Sequence, residues 1–296
     1  MKFSRIQLGT VQFGLNYGIA NTGGKPTYEQ AREIVQTAVE NGINCFDTAA
    51  AYGDCEKILG RIIKELSLRG KIHVISKIPP VSVQTHSAKE AEKFISKSVE
   101  NSLRRLRLDY LSAGLFHREE DIKYLPVLRQ LETEGLLKGC GVSLDTAEYC
   151  DYALANKVKF VQLPYNILDK RFDCFLSGAK KQNINIFARS LYLQGLLLMP
   201  EENIAEALRE VIPVRRCLAG LAADAGMSMA ELCARFVLSN PAISSILTGV
   251  DNIKQLKQNL QLLKKGSLPV ELYQAVKAAV PPLEEKVVRP CRWILS

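Results

Sequence analysis

The chain has 296 residues, of which 47% are hydrophobic and 24% charged; this globular composition excludes a disordered chain, and the lack of an uninterrupted run of about 18 apolar residues excludes an obvious membrane span. The formal net charge is +8, but its clusters (Arg104-Arg105, Lys180-Lys181, Arg215-Arg216, Lys264-Lys265) lie along helical stretches without interleaved aromatics, so they read as solvated helix faces rather than a nucleic-acid surface. Met1-Lys2-Phe3-Ser4-Arg5-Ile6 lacks the apolar core of a signal peptide, and the expectation is a soluble cytoplasmic protein with no membrane partner.

In chain order, Ile6-Gln7-Leu8-Gly9-Thr10 reads as a first strand, with Gly9 permitting a turn or a close ligand approach. Pro26 and Thr27 precede a helix with an apolar stripe of Ile34, Val35, Ala38 and Val39, ended near Asn41-Gly42. Asn44-Cys45-Phe46-Asp47 is an apolar run that stops on a carboxylate and crosses a small-residue loop to Tyr52-Gly53. A helix through Ile58, Leu59, Ile62, Ile63 and Leu66 leads to the strand His73-Val74-Ile75-Ser76-Lys77, closed by Pro79-Pro80. A longer helix from about Ala88 to Arg107 leads to Leu111-Ser112-Ala113-Gly114-Leu115-Phe116-His117. Then come a helix from Leu125 to Glu134, a strand from Cys140 to Ser143, a short helix from Asp145 and a strand from Phe160 to Leu163. A helix from about Asp169 and a strand from Asn185 to Arg189 follow. Two helical stretches, Pro213 to Ala225 and Ser228 to Leu238, precede an eighth strand, Ser244 to Thr248, and a helix beginning near Asn252.

Eight strands alternating with helices, without a linker, predict an α/β fold of one domain over 1–296: a right-handed (β/α)8 TIM barrel with a carboxyl tail at 281–296. The competing arrangement is an open doubly wound sheet, but no Gly-x-Gly-x-x-Gly turn follows any strand. Eight cysteines without a Cys-x-x-Cys pair, and three distant histidines, predict reduced, mostly buried thiols and no metal site.

In such a barrel the carboxyl ends of neighbouring strands converge on one mouth, so Asp47, Tyr52, Lys77 and His117 are predicted to meet. A phenol titrates near pH 10 in isolation. A neighbouring Lys77 ammonium favours the phenolate and lowers that value, Asp47 holds the lysine charged, and His117 donates a hydrogen bond to a substrate oxygen. No side chain supplies hydride, so carbonyl reduction by this set requires a nicotinamide cofactor. Spacing alone leaves open an aldolase-like barrel with Lys77 as Schiff-base nucleophile.

Phe46-Asp47-Thr48-Ala49 with Tyr52-Gly53, the segment Ser102-Leu103-Arg104-Arg105-Leu106 with Leu108-Asp109-Tyr110 and Leu115-Phe116-His117, and the position of Lys77 together resemble the aldo-keto reductase family over nearly the full length. The resemblance implies a tetrad of Asp47, Tyr52, Lys77 and His117, with Tyr52 as general acid/base and NADP(H) or NAD(H) as cofactor. Cofactor contacts implied in the same way are Gly9 and Thr10 of the opening strand, Asp47, Ser143, Gln162, Ser190, Leu191, Gln194, Gly249, Gln255, Gln258 and Asn259. Four positions depart from the family pattern: Leu144 stands at its asparagine, Arg189 at its nicotinamide-stacking aromatic, Gln255 at its arginine for the 2'-phosphate, and Gln258 at its glutamate near adenine. Arg189 is therefore expected to stack on the ring through its planar guanidinium or to contact the pyrophosphate. The expected partner is a small-molecule carbonyl or alcohol, sugar-derived ones included, and Arg118 beside His117 points to an anionic one. A nicotinamide-binding regulatory module with little turnover is the alternative of another class.

Overall fold

The computed structural model describes residues 1–17 and 24–293. Eight parallel strands close a barrel in sequence order: β1 (Ile6–Gly9), β2 (Cys45–Asp47), β3 (His73–Ile78), β4 (Ala113–Phe116), β5 (Cys140–Ser143), β6 (Phe160–Pro164), β7 (Asn185–Arg189) and β8 (Ile243–Gly249). The register at the closure pairs Ile6 with Ile246 and Gly9 with Gly249. This is the predicted (β/α)8 barrel, and the open sheet is overturned.

The helices are α1 (Val11–Gly14), α2 (Tyr28–Glu40), α3 (Cys55–Glu65), α4 (Ala88–Leu106), α5 (Leu125–Thr133), α6 (Cys150–Ala155), α7 (Asp173–Lys181), α8 (Ile212–Asp224), α9 (Met229–Ser239), α10 (Ile253–Lys264), α11 (Val270–Ala279) and α12 (Glu285–Val288). Their ends follow local chemistry. Thr27 and Gln30 form a reciprocal capping box at α2, and Ser87 and Ser228 cap α4 and α9 by accepting the N–H groups of Glu90 and Glu231. Arg107 ends α4 in the left-handed conformation. Among the described residues no single helix is long and apolar enough to cross a membrane.

Two helix starts differ from the sequence expectation. The helices expected at Asp145 and Asp169 begin at Cys150 and Asp173. Both carboxylates look like N-caps but are held by arginines: Asp169 by Arg171 at 2.8 and 2.9 Å, and Asp145 by Arg189 and Arg289. Helix α11 was not anticipated; Lys170 Nζ donates to the carbonyls of Lys277 and Val280 at its end, a use of lysine that satisfies terminal carbonyls.

The barrel interior is filled rather than open. Cys45, Ile75, Ala113, Leu115, Phe160 and Phe187 form one buried cluster with Phe3 against it. Phe160 and Phe187 stack with centroids 5.7 Å apart, and Phe3 meets both edge-on. Side chains alternate faces along a strand. The residues two positions beyond these plugs are therefore the next to point inward, and they are Asp47, Lys77, His117, Gln162 and Arg189. One layer of hydrocarbon thus supports one layer of polar groups at the carboxyl ends of β2, β3, β4, β6 and β7.

Candidate active site

The structure brings the four tetrad candidates together. Lys77 Nζ donates to both carboxylate oxygens of Asp47 at 2.6 Å and to the Thr48 carbonyl at 3.3 Å, with both side chains buried. The same ammonium lies 5.2 Å from the Tyr52 ring centroid, and the Tyr52 and His117 rings meet edge to face at 5.8 Å. Tyr52 and His117 are half-buried, so they form the exposed rim of a cluster whose ion pair lies beneath.

Burial and charge set the protonation states. Desolvation works against the Lys77 ammonium, but Asp47 and Tyr52 outweigh it and the pKa is raised. Desolvation lowers the His117 pKa to about 3, assisted by Lys77, Arg189 and Arg118, so the imidazole is neutral at ordinary pH. For Tyr52 the outcome corrects the sequence expectation. Burial raises its pKa more than Lys77 lowers it, so the phenol is protonated at neutral pH.

The tyrosine loop is held by two glycines, Gly53 of the Tyr52-Gly53 pair and Gly14, which sequence reasoning passed over. A Cβ on Gly14 of α1 would lie 1.9 Å from the Tyr52 carbonyl oxygen, and one on Gly53 would lie 2.9 Å from the Gly14 carbonyl oxygen. Gly53 has φ +57°, so it is suited to the turn itself. The Phe13-Gly14 pair closes α1, and nothing local in the sequence marks Gly14 as a contact for Tyr52.

The other expected positions divide. Gly9 ends β1, and Ser143 ends β5 near the mouth. Gln162 is buried, and its Nε2 donates to Asp47 Oδ1 at 2.8 Å. Thr10 is fully buried, and its hydroxyl meets the Asp47 carbonyl at 2.8 Å and Cys55 Sγ at 2.9 Å; in this structure it braces the β2 end. Leu191 is also buried. Ser190, Leu193 and Gln194 all have positive φ, at 63°, 46° and 52°, and such a cluster of left-handed non-glycine residues is a mark of a loop shaped for more than connection.

Arg189 is turned edge-on to the β5 loop. Its Nη2 donates to the Leu144 carbonyl at 3.1 Å and to Asp145 Oδ1 at 2.9 Å, and Nη1 approaches Ser190 Oγ at 3.5 Å. Gln255 is likewise engaged: its Oε1 accepts the Asp251 N–H at 2.8 Å, and its N–H donates to Asn252 Oδ1 at 3.0 Å, capping α10. Gln258 is exposed and Asn259 half-buried on the same helix.

At the end of β8, Gly249 faces the Gln12 amide, which a Cβ would crowd at 2.5 Å. Gln12 Oε1, Thr248 Oγ1 and Asp251 Oδ1 are buried with no hydrogen-bond partner among the described residues. Unpaired buried polar atoms are costly, and their gathering beside a glycine fits a polar ligand there. Gln12 was not singled out by sequence reasoning. Among the described residues no group of His, Cys, Asp or Glu forms a metal site. Of the cysteines, Cys45, Cys55, Cys140, Cys150 and Cys233 are buried, and Cys174, Cys217 and Cys291 are exposed, all free.

Arg118, expected from the sequence to favour an anionic substrate, is exposed and makes no side-chain hydrogen bond or ion pair with any described residue, whereas Phe13 of α1 belongs to the core. Trp293 donates from Nε1 to the Val287 carbonyl at 2.9 Å, folding the tail on itself; residues 294–296 of the expected tail lie outside the described residues. A groove of about 610 Å³ on the outer wall, bordered by Lys180, Lys181 and Lys277, contains none of the candidate residues.

Comparison with known proteins agrees with this geometry. The aldo-keto reductase AKR11C1 from Bacillus halodurans, in its holo form, superposes with a TM-score of 0.80 at 21% identity over 97% of this chain and 96% of that one, which shows the fold. The uncharacterized oxidoreductase YqkF of Bacillus subtilis (strain 168) is 25% identical over 84% of this chain and 87% of its own. L-galactose dehydrogenase of Arabidopsis thaliana is 24% identical over 94% and 92%. The sequence profile of the aldo/keto reductase family matches residues 5–281. Closed barrel, clustered strand-end residues and profile converge: the chain is an oxidoreductase belonging to the aldo/keto reductase family.

Proposed function

We propose that this protein interconverts a small-molecule carbonyl and its alcohol with a nicotinamide dinucleotide, Tyr52 serving as general acid and base. The observation that carries the reading is the Asp47–Lys77 ion pair under the Tyr52 ring, with a neutral His117 against the same ring. Family members use nicotinamide cofactors, which supply the hydride when bound.

The chain's own residues do the rest. Tyr52, protonated at rest, gives its proton to the carbonyl oxygen, and the Lys77 ammonium stabilises the phenolate left behind. Asp47 keeps Lys77 charged and fixed. Gln162 fixes Asp47 in turn through the 2.8 Å contact. Neutral His117 donates a hydrogen bond to the same carbonyl oxygen without taking its proton. A Schiff-base mechanism needs an uncharged amine, and the raised Lys77 pKa does not favour it.

The cofactor reading rests on Gly249, Gln12, Thr248 and Asp251 at the β8 end, beside the N-terminus of α10, a position suited to phosphate. Gln258 and Asn259 would face its adenosine end. Because the edge of Arg189 is taken by the β5 loop, its planar face is what remains for the nicotinamide ring. Exposed Lys254 and Lys257 on α10 are side chains that can supply charge to a 2'-phosphate, and Arg118, without a side-chain partner among the described residues, favours a substrate with an anionic group.

The test pairs binding with turnover. NADPH and NADH are titrated by fluorescence, and aldehydes and sugars are screened with the better binder. Tyr52→Phe should abolish turnover and leave dinucleotide affinity within about twofold, a difference under ~0.5 kcal/mol. Retained turnover would remove Tyr52 from the mechanism, and binding without turnover across a broad panel would favour the regulatory alternative.

A further inference from the structure

The carboxyl tail reaches the polar layer of the barrel through one carboxylate. Asp145, in the loop after β5, accepts from Arg189 Nη2 on Oδ1 at 2.9 Å and from Arg289 on Oδ2 at 2.7 and 3.1 Å. Arg289 directly follows α12, is 144 residues away in sequence, and is largely buried with 11% of its side chain exposed. Its remaining Nη1 donates to Glu285 Oε2 at 2.9 Å. Glu285 also lies 3.5 Å from Arg171, which donates to the Asp145 carbonyl at 3.3 Å and is paired to Asp169. The backbone side of the loop is held as well: Glu119 accepts the N–H groups of Asp145 and Thr146 at 2.8 and 2.9 Å.

A guanidinium on a long side chain has many orientations. Arg189 belongs to the inward-pointing polar layer and lies near enough to His117 to help keep it neutral, yet its orientation is set by a group outside the barrel wall. Burial pushes the Asp145 carboxyl up, but the two arginines outweigh it and bring it to about 2, so the clamp is charged on both sides throughout the neutral range. An Arg289 with only a tail-anchoring duty needs no contact with the particular carboxylate that orients Arg189.

We propose that Asp145 and Arg289 are positioning residues for the cofactor site: the tail arginine fixes Asp145, and Asp145 fixes Arg189 edge-on at the mouth. This rests on the proposed function, because it assigns Arg189 a face of the nicotinamide place. It makes the tail a component of that site rather than a cover over it.

A double-mutant cycle on the full chain tests the relay, with dissociation constants for NADPH and NADH read by fluorescence titration. Arg189→Met should weaken binding about tenfold, the loss of roughly 1.4 kcal/mol. Arg289→Met should weaken it several-fold, Arg289→Lys less, and Asp145→Asn nearly as much as Arg189→Met. In the Arg189→Met background, Arg289→Met should add no more than a further twofold. Purely structural anchoring predicts instead that the two losses multiply, which overturns the relay, as does wild-type affinity in both Arg289→Met and Asp145→Asn. Thermal melts accompany each variant, and Arg289→Lys, which keeps the charge, serves if Arg289→Met does not fold. A wild-type chain that binds neither dinucleotide defeats the cofactor reading and this inference with it; a binding wild type with a multiplicative cycle defeats the relay alone.

Discussion

Replacing Lys77 by methionine is the sharpest single perturbation of the polar layer. The ammonium is 1% exposed and its two contacts to Asp47 are each 2.6 Å. Once it is gone, the buried carboxylate keeps one side-chain donor, Gln162 Nε2 at 2.8 Å. Breaking a buried pair from one side costs about 3–5 kcal/mol, because the surviving charge stays desolvated. Lys77→Met should therefore lose about 4 kcal/mol, and Asp47→Asn a similar amount for the opposite charge. The double variant leaves neither charge of this pair. Replacing both partners is often near neutral, so it should be at least ~2 kcal/mol more stable than the sum of the two losses implies. Urea unfolding followed by circular dichroism and by fluorescence gives the free energies where the two transitions coincide. A Lys77→Met loss below ~1 kcal/mol, or strict additivity in the cycle, would refute the claim that one tightly coupled buried pair supports this site.

Other outcomes follow from the same geometry. Burial and three neighbouring cations lower the folded His117 pKa from the ordinary 6.5 to about 3, so its contribution is intact above pH 6.5 and is lost as pH falls towards 3. At pH 4.5 the loss is about 3 kcal/mol, and His117→Gln should lose correspondingly less stability than wild type between pH 7 and 4.5; parallel melting curves would contradict the assignment. Arg118→Met should reduce kcat/KM for 4-carboxybenzaldehyde about tenfold more than for its neutral methyl ester, the scale of one charge-assisted hydrogen bond, and equal losses would sever Arg118 from substrate charge. Gly14→Ala places a methyl 1.9 Å from the Tyr52 carbonyl, so it should cost about 1–3 kcal/mol of overpacking and depress kcat by shifting the phenol, whereas unchanged kinetics would free Tyr52 from α1.

Legibility in the sequence followed the range of the forces involved. Asp47, Lys77 and His117 could be read because each closes an apolar run, and alternation along a strand is a local rule. Gln162 and Arg189 obey the same rule, two residues beyond Phe160 and Phe187. What could not be read were choices between partners. Asp145 and Asp169 carry the residue type of a helix cap, and only the folded chain shows that arginines claim them. Gly14 looks like an ordinary loop glycine until α1 is laid against the Tyr52 turn. Gln255 is implied as a cofactor contact by the family resemblance alone, and only the folded chain shows that its side-chain amide accepts the Asp251 N–H at the start of α10. The sign of the Tyr52 shift was misjudged because proximity to Lys77 follows from adjacent strands, while the depth of burial opposing it does not.

That opposing burial gives the site its economy of protons. Lys77 is held charged by Asp47, His117 is held neutral by desolvation and by three cations, and Asp145 is held anionic by two arginines. Lys77 and Asp145 would have to abandon buried ion pairs to change protonation state near neutral pH, and His117 would have to take up a desolvated charge among cations. Tyr52 is under opposite pulls, with burial favouring the phenol and Lys77 the phenolate. A group whose two states are stabilised by different parts of one environment is the one whose proton can move when charge develops beside it. On the proposed reading, charge develops on a carbonyl oxygen between Tyr52 and His117, and the fixed groups around them leave only the phenol to answer it.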